Sequence, residues 1–68
     1  MEKIVFKRVV QLQLGPDGML VGLVTDSQDA KAGKYAEGAV EFIGINREQA
    51  RGVAMGMRVK LTYNFIDE

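Results

Sequence analysis

The chain has 68 residues, nine basic and nine acidic side chains, and no histidine, cysteine or tryptophan. Without histidine and cysteine it lacks the usual proton carrier at neutral pH, the best thiolate nucleophile and the soft ligands of zinc. Its balanced charge gives no long-range attraction to nucleic acid or to an anionic membrane. An enzyme is therefore not expected, and neither a cofactor nor a bound metal is.

One domain over residues 1–68 is the expectation, and a core of this size supplies only roughly 3–5 kcal/mol of net stability. Disulfides and thiolate metal sites are closed to this composition, which leaves self-association as the remaining reinforcement. A homo-oligomer is thus expected over an ordinary monomer. No apolar run approaches the ~20 residues that span a bilayer. Met1 to Phe6 leads straight into alternating residues, without the apolar core of a signal peptide. Cytoplasmic synthesis is the expectation.

From Glu2 to Leu14 the apolar period is two: Ile4, Phe6, Val10, Leu12 and Leu14 fall on the even face, interrupted by Arg8. This predicts one long strand that bends or reaches beyond its own subunit, with Arg8 marking a bend, an edge or an interface. Gly15-Pro16-Asp17-Gly18 is a turn signal. Met19 to Thr25 reads as the returning strand. It is apolar on both faces and so central, with Gly22 marking a bulge or a close backbone approach.

Asp26 to Gly38 is polar and without clear period, a surface loop whose rival reading is a short helix through Ala30 to Ala36. Ala39 to Ile45 is a third strand. Asn46 and Gln49 have capping-box spacing for a short helix from Arg47 to Arg51, closed by Gly52. Val53 to Met57 reads either as a continued turn or as a connector. In the last strand Val59, Leu61, Tyr63 and Phe65 alternate with Arg58, Lys60, Thr62 and Asn64, and Asp67 and Glu68 end in water.

The fold class is therefore mainly β: a four-stranded antiparallel curved sheet or small, partly open barrel with one short helix. The expected core is Ile4, Phe6, Val10, Leu12, Val21, Leu23, Val40, Phe42, Val59, Leu61, Tyr63 and Phe65.

Candidate sites follow from charge and aromatic placement. Asp26 and Asp29 lack calcium-loop spacing and read as a solvated loop. Gly33-Lys34 lacks the earlier glycine and the following hydroxyl of a phosphate loop. Lys3 and Lys7 share one face of the first strand, and Arg58 and Lys60 one face of the last. If these strands pair, four cations could line one sheet surface, as in modules that hold single-stranded nucleic acid. That mode also needs exposed aromatics, and here most fall on predicted core faces, so nucleic acid is not favoured. Tyr35, beside Lys34 in the polar loop, either anchors that loop or touches a partner. Met55 and Met57 either fill core or form an adaptable contact surface, with Arg8 as a further contact.

The stretch Glu41-Phe42-Ile43-Gly44-Ile45-Asn46-Arg47-Glu48-Gln49-Ala50-Arg51, followed by Met55-Gly56-Met57-Arg58-Val59-Lys60-Leu61-Thr62-Tyr63, resembles small β proteins encoded by tailed bacteriophages. In those, a strand leads to a short turn of helix containing alanine, and a glycine then opens an amphipathic strand. Val53 to Met57 departs from their aromatic-then-proline approach to that glycine. The resemblance is confined to the C-terminal third. It implies a phage or mobile-element accessory, virion-associated or host-modulating, and transfers no functional residue.

The expected function is a non-catalytic interaction or assembly protein acting as a homo-oligomer. The alternatives are a small nucleic-acid-binding β-barrel module and an oligomer that sequesters a small ligand between subunits, through the glycine-rich loop and Tyr35.

Overall fold

Strands β1 (Glu2–Leu14), β2 (Gly18–Thr25), β3 (Glu41–Asn46) and β4 (Arg58–Asn64) form one antiparallel sheet in the order β3-β2-β1-β4. The computed structural model describes residues 1–67, and its sheet curls into a half-barrel. Two one-turn helices, α1 (Gln28–Lys31) and α2 (Arg47–Ala50), and a 3-10 turn at Glu37–Ala39 occupy the connections. The mainly β expectation holds, but helical turns are more numerous than the single one expected. None of the described helices is long and apolar enough to cross a membrane.

Local chemistry explains the elements. The β1–β2 turn closes with the Gly15 N–H donating to the Gly18 carbonyl at 2.9 Å. Where a featureless loop was expected, Ser27 caps α1: its hydroxyl accepts from the Ala30 N–H at 3.0 Å, which satisfies a free donor of the first turn. The helix runs from Gln28 to Lys31, not through Ala30 to Ala36. The capping box of α2 is complete, with Gln49 N–H to Asn46 Oδ1 at 2.8 Å and Asn46 N–H to Gln49 Oε1 at 3.1 Å. The third strand starts at Glu41, because Ala39 belongs to the 3-10 turn. Phe65 continues the β4 ladder by donating its N–H to the Met1 carbonyl at 2.7 Å. Asp67 is exposed, and the expectation for Glu68 lies outside the described residues.

A bulge organises the sheet. The β1–β2 pairing runs Lys7–Thr25, Arg8–Val24, Val9–Leu23, then skips Val10 to resume at Gln11–Gly22 and Leu12–Val21. One extra residue bends the strand and reverses its side-chain alternation. Val5, Lys7 and Val9 before the bulge, and Leu12 after it, share the face that carries Leu23. Ile4, Phe6 and Arg8 share the opposite face, which carries Val24. The single even row read from sequence is therefore split between the two sides.

Each face has its own core. Val9, Val21 and Leu23 are buried on the first, flanked by half-buried Leu12, Ile43, Ile45, Val53, Val59 and Leu61. Val10, Val24 and Ala30 are buried on the second, under α1, Tyr35 and Val40. Hence β2 is covered on both sides, as its composition implied. Gly22 is needed where it stands: a Cβ there would come within 2.9 Å of Gln11 Cβ and 3.0 Å of Val40 Cγ1.

The expected core needs correction. Ile4, Phe6, Phe42, Tyr63 and Phe65 are exposed, while Val9, Val24 and Ala30, which were not expected, are buried. The bulge explains Ile4, Phe6 and Val9. The aromatics of β3 and β4 lie on edge strands, where no neighbouring strand covers them.

Candidate functional site

Arg8, Asp26 and Arg58 form the densest polar cluster, on the Val24 face. Arg8 Nε donates to Asp26 Oδ1 at 2.9 Å, its Nη2 lies 2.8 Å from the same oxygen in an ion pair, and Arg58 Nε donates to Asp26 Oδ2 at 3.0 Å. Arg8 Nη1 also donates to the Gly56 carbonyl at 3.0 Å. The Arg58 guanidinium lies 4.0 Å from the Phe6 ring centroid, within cation–π range. Partial burial opposes ionisation of Asp26. The hydrogen bonds and charges of Arg8, then of Arg58, outweigh it and hold the carboxyl below its ordinary value of 3.8.

This cluster is a clamp. It ties the end of β2 to β1, β4 and the Val53–Met57 connector. That connector is further sewn to the bulge by Val9 N–H to the Met57 carbonyl and Gly56 N–H to the Val9 carbonyl, both at 2.9 Å. Gly56 adopts φ +82°, a left-handed geometry that glycine reaches without steric cost. Both oxygens of Asp26 are engaged by arginines.

The four cations do not share a surface. Strands β1 and β4 do pair, but the register sets Lys3 opposite Tyr63 and Lys7 opposite Val59, on the Leu23 face. Lys60 stands opposite Phe6 and Arg58 opposite Arg8, on the Val24 face. Lys7 Nζ is engaged by Glu41 Oε1 at 3.2 Å. Lys3 and Lys7 instead line an open cavity of about 350 Å³ with Val5, Tyr63 and Phe65.

Tyr35 is half-buried against the Val10, Val24 and Ala30 cluster, and its hydroxyl accepts from Gln11 Nε2 at 3.4 Å. It anchors the loop. Its ring and Met55, twenty positions apart in sequence, line one groove with Val9, Val10, Ala30 and Gly33. Lys34 and Met57 are exposed and line no part of it.

Exposed apolar surface is the feature that composition did not announce. Phe6, Phe42, Tyr63 and Phe65 are 41%, 51%, 39% and 57% exposed. The chain exposes 5267 Å², where a compact monomer of its 7.5 kDa mass exposes about 4,200 Å². The excess, about 1,000 Å², is comparable to the ≈ 800 Å² that each partner contributes to a standard interface. Comparison with protein-family models, curated proteins and solved structures gives no match at any of the three levels.

Proposed function

We propose that the chain is a non-catalytic interaction module that acts as a homo-oligomer. The observation that carries this reading is the apolar surface: eleven large hydrophobic side chains are exposed among the described residues, against six buried hydrophobics. Monomers scatter single exposed apolar residues but rarely expose this much around so small a core. Association would supply the core that the curled sheet lacks. The resemblance of the C-terminal third to small phage β proteins supports a virion-associated or host-modulating setting for such an assembly.

A second reading, a small nucleic-acid-binding β module, has one specific support. Tyr63 and Phe65 are exposed beside Lys3, the combination of π-face and cation that single strands use, while Lys7 in the same cavity is held by Glu41. Arg58 and Lys60 have no part in that arrangement.

Light scattering coupled to size exclusion, with absorbance recorded at two ultraviolet wavelengths, separates the readings. A multiple of 7.5 kDa with a protein-like spectrum is the outcome expected of an assembly protein. Excess short-wavelength absorbance, lost on raising salt, favours the second reading.

A further inference from the structure

Two edges of the sheet are free, and they differ. Along β4, Arg58 and Lys60 supply the charges that commonly blunt an edge. Along β3, the segment from Phe42 to Asn46 carries no charge, no proline and no break in its pairing with β2. Among the described residues, no backbone–backbone hydrogen bond reaches β3 from outside that ladder. Such an edge is a template for another strand.

Gly44 stands in the middle of it. Glycine weakens a strand interior, and where it occurs there it commonly marks a bulge or the close approach of another backbone or a ligand. Among the described residues nothing requires it. Its φ is not positive, and a Cβ would meet only Leu20 Cδ2, at 4.0 Å. Gly18 and Gly22, in contrast, are crowded by the Ile45 carbonyl and by Gln11 and Val40.

We propose that β3 is the dimer edge: β3 of a second copy pairs with it antiparallel about a two-fold axis at Gly44. The inference rests on the assembly reading above and specifies its surface. In that register Gly44 meets Gly44 of the second copy, Ile43 meets Ile45, and Phe42 meets Asn46. At the ends of this register Glu41, held by Lys7 in its own chain, comes near Arg47, the first residue of α2, and the two are opposite in charge. The contact is isologous, so each pair occurs twice. On the Leu23 face, four isoleucines extend a core in which Ile43 and Ile45 are only half-buried. On the Val24 face, the exposed Phe42, whose ring edge lies over Gly22 of its own chain, stands diagonal to the facing Gly44. Centring the axis on Ile43 instead would set the charged Glu41 against the apolar Ile45.

Gly44→Lys is the test, because the single chain has room for the side chain whereas the axis would hold two like charges. Sedimentation of wild type and variant, with circular dichroism to verify folding, gives the readout. A folded, monomeric variant beside a dimeric wild type is expected, with dissociation constant raised at least about 100-fold. An oligomeric wild type whose Gly44→Lys variant associates equally well overturns the β3 edge and leaves the assembly reading standing. A monomeric wild type overturns both. Should the variant not fold, concentration-dependent amide exchange of wild type decides: protection gained along Glu41–Asn46 supports the edge, and protection gained only along Arg58–Asn64 refutes it.

Discussion

Arg8 and Arg58 stand directly opposite each other across the β1–β4 ladder, a placement that repels unless an anion lies between them. Asp26 is that anion, with one oxygen to each guanidinium. Asp26→Asn removes the charge but keeps the size, and leaves the largely buried Arg8 and the exposed Arg58 face to face. Its Tm should fall clearly. Glu48→Gln, in an exposed pair with Arg51 at 4.0 Å, should leave Tm nearly unchanged. Equal Tm values for the two variants would remove the clamp from this account.

The same group sets an acid limb. The folded carboxyl is held below its ordinary value of 3.8, so the unfolded chain takes up its proton first as pH falls. The contribution of Asp26 is therefore fully present above the ordinary value and is lost as pH drops through the lower, folded one. Thermal melts from neutral pH down to pH 3 or below should show Tm declining less steeply in Asp26→Asn than in wild type. Parallel declines would contradict the assignment.

Gly22→Ala should cost about 1–3 kcal/mol by overpacking, since its Cβ would press on Gln11 and Val40. Gly38→Ala has open space and no positive φ, and should be neutral or stabilising by up to about 1 kcal/mol. Urea denaturation of the pair checks both signs.

The Ser27 cap and the Asn46 cap should each be worth about 1 kcal/mol against alanine, and their effects should add because they cap helices at separate places. Removing the first also loosens α1, which carries buried Ala30 onto the Val24 face. Stronger amide exchange at Val10 and Val24 in Ser27→Ala than in Asn46→Ala would mark that link.

Leu23, 1% exposed at the centre of the larger core, should not tolerate truncation. Leu23→Ala removes about 2–5 kcal/mol, comparable to the whole stability expected of so small a domain. Loss of the cooperative thermal transition is the expected result.

What could be read from the chain was local. The Gly15–Gly18 turn, the Asn46–Gln49 capping box and the doubly apolar β2 depend on residues a few positions apart, and all three formed as read. Gly22 signalled a bulge or a close approach, and both occur beside it, but that the added residue is Val10 of β1 exists only relative to the strand it pairs with. One added residue moved Val9 into the core and Ile4 and Phe6 out of it. Register likewise decided the cations: Lys3 and Lys7 parted from Arg58 and Lys60 because Lys7 pairs with Val59 and not with a residue one step away. The Asp26 clamp joins positions 18 and 32 apart, beyond any sequence window. Tyr35 as an anchor was one of two open readings, and its packing against Val10, Val24 and Ala30 agrees with it.

Sedimentation equilibrium of the wild-type chain over a wide concentration range bears most directly on the central claim. A species of twice the 7.5 kDa chain mass or a higher multiple, dissociating only on dilution, is the result this account requires. A single chain mass at every concentration would contradict it.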